Sequence, residues 1–167
     1  MIDVAAATAL ATPLAQALRA RAWRLATAES CTGGLIAAAC TTLAGSSDWF
    51  ERGFVTYSNA AKCEQLGVDA ALIAAHGAVS AEVASAMAVG ALAHSPADIA
   101  LAVTGIAGPT GGVPGKPVGT VWLALLRRGG AVHAERLQLG GDRASVRAQT
   151  VVIALQRLLA LCAATAP

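Results

Sequence analysis

A short polar segment, Glu-Ser-Cys-Thr-Gly-Gly at 29–34, brings together groups that can do chemistry between an apolar run and a helical pattern. The pattern predicts a strand over 23–27 and a helix over 35–43. Because the first N–H groups of a helix favour negative charge, a serine beside them could act as a nucleophile. The local pattern alone favours the other role, in which Ser30 or Thr32 serves only as the helix N-cap, because caps are far commoner than nucleophiles. We expect Glu29 to fix the loop by hydrogen bonding.

Lys62 is a second residue that could take part in proton transfer. Phe54, Val55 and Tyr57 favour a strand, and the polar residues that follow can cap a helix with Lys62 in its first turn. A cation there opposes the helix dipole, so a local stabilising role is disfavoured. A lysine near a serine can act as its base when desolvation lowers the pKa of the lysine, although an isolated lysine is ordinarily a surface residue.

A glycine-rich loop, 105–117, follows an apolar run at 99–103 that is typical of a buried strand. Its backbone N–H groups could line an anion or a nucleotide, and Thr104 and Thr110 add hydroxyl donors. The loop lacks the Gly-Lys-Ser/Thr ending of a Walker loop and does not run straight into a helix. A nucleotide-binding loop and a flexible surface loop therefore both fit this segment.

The remaining pattern predicts an α/β fold, with a mixed sheet flanked by helices. Further predicted elements are a helix over 8–22, a helix from the N-cap Ser80 to about residue 94, a hairpin of strands 118–126 and 131–139, and a helix from the N-cap Asp142 to about residue 163. The 167 residues suffice for one domain, 1–167, and show neither a repeat nor a linker.

The composition argues against a membrane or secreted protein. Hydrophobic residues make up 56% of the chain but aromatic residues only 4%, since alanine supplies most of the apolar character. Polar residues interrupt every long apolar segment, so no transmembrane span is predicted. The N-terminal segment has an early acidic residue and arginines only at its far end, the reverse of a secretion signal.

Charge and cysteine usage narrow the functional classes further. The net charge is +2, with twelve basic and ten acidic residues spread along the chain, so a nucleic-acid partner is disfavoured. The four cysteines form no CxxC pair and have no histidines at ligand spacing, so neither a metal site nor a disulfide framework is predicted. We expect reduced thiols and a cytoplasmic location, and the roles of Cys31 and Cys63 stay open.

Several blocks, taken in order along the chain, resemble the CinA C-terminal domain family. The residues that carry the resemblance lie at 28–34, 45–47, 50–59, 62, 66–68, 77–80, 102–109 and 116–121, and together they span almost the whole chain. The resemblance implies a three-layer α/β/α domain of the stand-alone form, without the larger N-terminal domain of full-length CinA proteins.

The resemblance also implies an activity. Stand-alone members hydrolyse the carboxamide of nicotinamide mononucleotide to nicotinate mononucleotide and ammonia, in pyridine-nucleotide recycling and without a metal or other cofactor. By resemblance Ser30 is the nucleophile, and Lys62, with Tyr57, takes its proton and later supplies one to the departing ammonia. Backbone N–H groups near Thr32 and Gly33 are candidates for the oxyanion hole.

The substrate is expected to lie against the glycine-rich loop, with Arg143 as a phosphate ligand. The expected substrate-binding residues are Thr32, Gly33, Gly34, Ser46, Thr104, Gly105, Gly108 and Arg143. Ser46 and Ser47 remain alternative hydroxyl groups for the chemistry, and Arg143 could instead pair with a surface carboxylate.

Two other functions are compatible with the same residues. A non-catalytic nucleotide-sensing module would use the glycine-rich loop to bind nicotinamide mononucleotide without turning it over. A competence or DNA-repair accessory is suggested by the name of the larger family, but the dispersed charge disfavours it. A homodimer is expected from the family alone.

Overall fold

The computed structural model describes residues 4–165, with side chains from residue 9 onward, and its elements form three layers. In chain order they are α1 (Val4–Ala20), β1 (Leu25–Glu29), α2 (Leu35–Cys40), a 3₁₀ turn (Ser46–Asp48), β2 (Phe50–Val55), α3 (Asn59–Leu66), α4 (Ala70–His76), α5 (Ala81–Ala93), β3 (Ile99–Gly105), β4 (Thr120–Arg127), β5 (His133–Gln138) and α6 (Arg143–Ala164).

The five strands form one mixed sheet in the order β2-β1-β3-β4-β5. Strand β1 pairs in parallel with β2 and β3, and β3, β4 and β5 pair antiparallel. Glu29 at the end of β1 lies opposite Val55 on β2 and Val103 on β3. The chain therefore leaves three neighbouring strands at one edge of the sheet, where Ser30 follows β1, Thr56 follows β2 and Thr104 lies near the end of β3.

The two faces of the sheet have different side chains and carry different helices. Leucine, isoleucine and valine from β1, β3 and β4 pack beneath α1, α2 and α6. The opposite face presents Ala26, Ala28, Ala100, Ala102 and Ala124 to the alanine-rich α5. Small side chains on both surfaces let a helix approach a sheet closely, which maintains dense packing with little area per residue.

Gly90 shows how close the packing of α5 is. A Cβ atom built there would lie 2.0 Å from the backbone oxygen of Leu66, at the end of α3. Such a separation is far inside van der Waals contact, so any larger residue would push α3 and α5 apart.

The fold confirms the predicted α/β architecture and most predicted elements. Ser80 and Asp142 cap α5 and α6 by accepting hydrogen bonds from the N–H groups of Val83 (3.2 Å) and Ser145 (2.8 Å). β4 and β5 form the predicted hairpin. The glycine-rich segment after β3 is a loop, as predicted.

The bounds of β1 and α2 differ from the prediction, and one helix was not predicted. β1 runs two residues further along the chain than expected, because its pairing begins where the Leu25 N–H donates to Trp49 O (2.7 Å). α2 ends at Cys40, where the Thr41 and Thr42 hydroxyls donate back to carbonyls of its last turn. The short helix α4, capped by Asp69, was not predicted.

Among residues 4–165, only α6 is long and apolar enough to cross a membrane by length and composition. No segment that could span a membrane was predicted from the sequence. Its buried side chains belong to the cores beneath the sheet, and it packs along α1. Arg21, just after α1, donates to the carbonyls of Cys162 (2.7 Å) and Thr165 (3.0 Å) at its C-terminal end. These contacts are those of a core helix.

Candidate active site

Ser30 and Lys62 meet at the edge where the parallel strands end. The Nζ of Lys62 donates to the Ser30 Oγ (3.0 Å) and to the backbone oxygen of Thr56 (2.9 Å). Lys62 is only 1% exposed and Ser30 9%. A buried amine within hydrogen-bond distance of a serine hydroxyl is a suitable arrangement for removing the serine proton.

Local structure places Lys62 there. The Thr56 N–H donates to Glu29 O (2.9 Å), which keeps the end of β2 beside β1. Ser58 then caps α3 by accepting from the Ala61 N–H (3.0 Å), which puts Lys62 in the first turn of that helix. The side chain therefore reaches back under the strand end towards Ser30.

Burial changes the protonation of this lysine. Desolvation lowers the pKa of Lys62, and the nearby thiols of Cys31 and Cys63 oppose that effect only in part. No carboxylate forms a salt bridge with Lys62 in the described part of the chain. Because a lowered pKa increases the neutral fraction of the amine, Lys62 is better suited than an exposed lysine to accept a proton.

The pair faces a cavity of about 220 Å³. Its lining residues are Ser30, Cys31, Tyr57, Asn59, Lys62, Ala78, Val79, Thr104, Gly105, Ala107 and Arg143. A larger cavity of about 430 Å³ lies between the β4–β5 hairpin and the C-terminal half of α6. That cavity is mostly apolar and holds no nucleophile–base pair, so the smaller one is the candidate active site.

Arg143 and Tyr57 close one side of this cavity. The guanidinium of Arg143 donates to the Tyr57 hydroxyl (2.7 Å) and to the backbone oxygen of Gly108 (3.0 Å). Tyr57 is 58% exposed. Within the described residues its hydroxyl is therefore bonded to Arg143 rather than to Ser30 or Lys62, which differs from the expected pairing of Tyr57 with the base.

Thr104 and Gly105 lie on the cavity wall as expected. The Thr104 hydroxyl donates to Ala78 O (2.9 Å) and so links β3 to the segment before α5. A Cβ atom at Gly105 would lie 2.7 Å from the Val121 Cγ2 on β4, so this glycine permits close strand packing. Gly108 contributes its carbonyl to Arg143 rather than an N–H group to an anion.

Comparison with known proteins identifies the family. The model of the CinA C-terminal domain matches residues 7–162. The chain belongs to this family. A protein of Pseudomonas putida named nicotinamide-nucleotide amidohydrolase PncC is 57% identical over 154 residues, which cover 92% of this chain and 96% of that protein. The protein of the same name from Escherichia coli K12 is 52% identical over 149 residues, covering 89% and 90%.

A solved structure agrees with the family assignment. The crystal structure of a competence-damaged protein (CinA) superfamily protein from Klebsiella pneumoniae superposes with a TM-score of 0.91 at 43% sequence identity. The match covers 95% of this chain and 99% of that one. The three-layer α/β fold is therefore that of the CinA superfamily.

Glu29 has the positioning role that was expected. It is fully buried, and its carboxylate accepts hydrogen bonds from the N–H groups of Gly34 (3.1 Å), Ile36 (3.0 Å) and Ala37 (2.8 Å) and from the Thr32 hydroxyl (2.7 Å). In this CinA domain, the first N–H groups of α2 therefore bind a carboxylate of the chain itself. They are not free to hold a substrate anion.

Three predicted substrate-binding residues make hydrogen bonds within the chain itself. Thr32 is fully buried with its hydroxyl on Glu29, and Gly34 donates to the same carboxylate. The Gly33 N–H donates to Ser30 O (3.1 Å), and φ values of +61° and +94° explain why glycines occupy 33 and 34. The Thr32 hydroxyl, Gly33 and Gly34 do not line the cavity. They shape the turn that carries Ser30.

Ser46 is also not at the cavity. Ser46 and Ser47 begin the 3₁₀ turn before β2, whereas the cavity lies beyond the other end of that strand. The neighbouring Gly45 O accepts from Arg19 of α1, which confirms the position of this turn at the opposite edge. Neither hydroxyl is an alternative to Ser30 in this structure.

Arg147 is a residue that the sequence analysis missed. It donates from Nε to Cys31 O (3.2 Å) and from its terminal nitrogen to Thr32 O (2.9 Å). Its spacing of four residues from Arg143 was the available signal, because residues four apart lie on the same side of a helix. Asn59 and the Ala78–Val79 segment of the cavity wall gave no comparable signal.

The cysteines are free thiols in a largely buried setting. Burial raises the pKa of the Cys31 thiol to about 11 and that of Cys40 to about 12. Cys31 lines the cavity, but its thiol stays protonated at neutral pH and is a poor nucleophile. In the described part of the chain, no group of three or more His, Cys, Asp or Glu side chains could hold a metal ion.

Replacing Glu29 by glutamine tests the contact between this carboxylate and α2. The glutamine NH₂ cannot accept hydrogen bonds from the N–H groups that now donate to the carboxylate, so at least one charge-assisted hydrogen bond is lost. We expect the free energy of unfolding to fall by about 3 kcal/mol, and Tm by roughly 6–12 °C. Denaturant and thermal unfolding of Glu29→Gln measure both. As the control, Glu82→Gln on the exposed side of α5 should change Tm by less than about 3 °C; equal effects would contradict the buried role.

Proposed function

We propose that this protein hydrolyses the carboxamide of nicotinamide mononucleotide to nicotinate mononucleotide and ammonia. The observation that carries the proposal is the 3.0 Å contact between the Lys62 Nζ and the Ser30 Oγ on the wall of a cavity. Relatives that are 52–57% identical over about nine-tenths of the chain are named nicotinamide-nucleotide amidohydrolases.

In the first half of the reaction, Ser30 Oγ attacks the carboxamide carbon while the neutral amine of Lys62 takes the hydroxyl proton. The tetrahedral intermediate collapses when its C–N bond breaks, and the Lys62 ammonium returns the proton to the departing nitrogen. The products of this half are an ester on Ser30 and ammonia, and Lys62 is neutral again.

In the second half, water attacks the ester carbon and Lys62 takes a proton from that water. The C–O bond to Ser30 breaks, and Lys62 supplies the proton that restores the hydroxyl. The product carboxylic acid loses its remaining proton to solvent, and nicotinate mononucleotide then leaves as the carboxylate. Lys62 therefore acts as base and as acid in each half, which requires that neither of its forms be strongly favoured.

The negative charge on the intermediate requires hydrogen-bond donors. Among residues 4–165, the N–H groups of Cys31 and Thr32 donate to no backbone oxygen. Both lower the pKa of the Cys31 thiol, so they lie near a side chain that lines the cavity. These two groups are our candidates for the oxyanion hole, in place of the Gly33 N–H, which is already bonded to Ser30 O.

We assign the phosphate of the substrate to Arg143, whose guanidinium now bonds to Tyr57 and Gly108 at the cavity wall. A phosphate would replace these neutral acceptors with charge-assisted bonds. Arg143→Met should therefore raise KM for the mononucleotide by about ten-fold or more, with a smaller change in kcat. Steady-state kinetics with the mononucleotide measures both constants, and Arg157→Met, on the same helix but not in the lining of this cavity, is the control that should keep the wild-type KM. An unchanged KM in Arg143→Met, or an equal rise in Arg157→Met, would show that Arg143 does not bind the phosphate.

The direct test is ammonia release by purified protein with a chelator present. Nicotinamide mononucleotide is compared with nicotinamide and nicotinamide riboside. Turnover confined to the mononucleotide supports a deamidase that needs the phosphate. Saturable binding of the mononucleotide by folded protein without turnover would favour the non-catalytic sensing module. The expected homodimer stays a prediction.

A further inference from the structure

Arg147 reaches from α6 to the turn that follows Ser30. Its guanidinium donates to Cys31 O (3.2 Å) and Thr32 O (2.9 Å), and both carbonyls belong to the turn that Gly33 closes by donating to Ser30 O. Arg147 forms no salt bridge within the described residues. Its positive charge therefore acts on two peptide carbonyls rather than on a carboxylate.

The peptide geometry connects these carbonyls to the site. A trans peptide is planar, and its C=O and N–H point in opposite directions. The carbonyl of Cys31 shares a peptide with the N–H of Thr32, so holding the oxygen on Arg147 fixes that N–H on the opposite side. A cation on the oxygen also polarises the peptide and strengthens its N–H as a donor.

The turn is thus held from two directions by opposite charges. Glu29 accepts the N–H groups of Gly34, Ile36 and Ala37 on one side. Arg147 donates to carbonyls on the other side. The N–H groups of Cys31 and Thr32 belong to the same turn and donate to no backbone oxygen in the described chain.

We propose that Arg147 is a positioning residue, which orients and polarises the Thr32 N–H so that it stabilises the oxyanion formed when Ser30 attacks the substrate. This inference rests on the proposed function. Since α6 also carries Arg143 one turn earlier, the same helix aligns the nucleophile turn with the residue assigned to the phosphate.

Kinetics of Arg147 variants distinguish positioning from substrate binding. The loss of one oxyanion donor typically costs about 100 to 1,000-fold in rate, and Arg147→Met leaves that donor present but poorly oriented. We therefore expect kcat to fall about 10 to 100-fold, with KM within about three-fold of wild type. Arg147→Lys keeps the charge and can donate to a carbonyl, so it should recover part of kcat. Millimolar methylguanidinium should partly restore Arg147→Ala, whereas sodium chloride should not.

The control is Arg157→Met on the same helix, which breaks an ion pair with Glu135 away from the candidate active-site cavity. It should leave kcat within about two-fold of wild type. The inference is overturned if Arg147→Met keeps wild-type kcat, if its loss lies wholly in KM, or if Arg157→Met loses as much.

Amide hydrogen exchange at 31–33 gives a readout that needs no turnover. We expect faster exchange in Arg147→Met than in wild type, a smaller change in Arg147→Lys and none in Arg157→Met. Unchanged exchange would contradict the positioning role even if the wild type were inactive. Wild type without ammonia release would instead count against the proposed function, so the two failures are distinguishable.

Discussion

Ser30→Ala is expected to reduce ammonia release from nicotinamide mononucleotide at least about 1,000-fold, because it removes the atom that forms the covalent ester. Binding of the mononucleotide should persist, since Arg143 and the rest of the cavity wall are untouched. Calorimetric titration of the variant together with an ammonia assay measures both properties. Rapid quenching of the wild-type reaction followed by peptide mass spectrometry should detect the ester on the peptide that contains Ser30.

Ser46→Ala and Ser47→Ala are matched controls for this experiment. Both hydroxyls lie before β2 at the opposite edge of the sheet, so these variants should keep wild-type kcat/KM within about two-fold. A large loss of kcat/KM in either variant, with activity retained in Ser30→Ala, would show that Ser30 is not the nucleophile.

Lys62→Met is the second change with a very large expected effect. Methionine fills a similar volume without an amine, so the proton of Ser30 has no acceptor. General acid–base groups contribute roughly 100 to 10,000-fold, and we expect a loss in that range. Because both residues serve one step, the double variant Ser30→Ala, Lys62→Met should be little worse than either single variant. Additive losses would show that the two residues act in separate steps.

The pH dependence follows from the lowered pKa of Lys62. The base must be neutral, so kcat/KM should rise with pH to a plateau, with an apparent pKa below the ordinary lysine value of about 10.4. Lys62→Met should abolish this limb in whatever activity remains. If kcat/KM instead rose with an ordinary lysine pKa, burial would not lower the pKa of Lys62.

Stability has a matching pH dependence. Between the lowered folded pKa of Lys62 and its ordinary unfolded pKa, the unfolded chain binds more protons, so the free energy of unfolding rises with pH in this window. Lys62→Met should remove this contribution. Urea unfolding of both proteins at about pH 7.5 and 9.5 compares the two slopes, and identical slopes would contradict the buried, neutralised amine.

Much of the architecture is predictable because it depends on local patterns. The apolar run of β3, the hairpin of β4 and β5, and the caps Ser80 and Asp142 each have a signal within a few residues. The proximity of Ser30 to Lys62 is different, since it follows from parallel pairing of β1 with β2. Here the resemblance to the CinA C-terminal domain family supplied what periodicity alone could not.

The differences between the expected and the observed positions have a common physical cause. Ser46 and Tyr57 lie close together in the sequence, but β2 runs between them, and six strand residues span about 20 Å. Thr32 and Gly34 belong to the polar segment after β1, yet the Thr32 hydroxyl and the Gly34 N–H both donate to the Glu29 carboxylate. Which groups a buried carboxylate binds depends on tertiary contacts, and spacing along the chain does not determine it.

The close contact at Gly90 affects the position of the helix that carries Lys62. Leu66, whose carbonyl lies against Gly90, ends the same helix that carries Lys62 near its start. α3 can therefore rest at its present depth only because α5 lacks a side chain at that position. The position of Lys62 relative to Ser30 therefore depends also on the other end of α3, where the absence of a Cβ atom at Gly90 lets the helix pack closely.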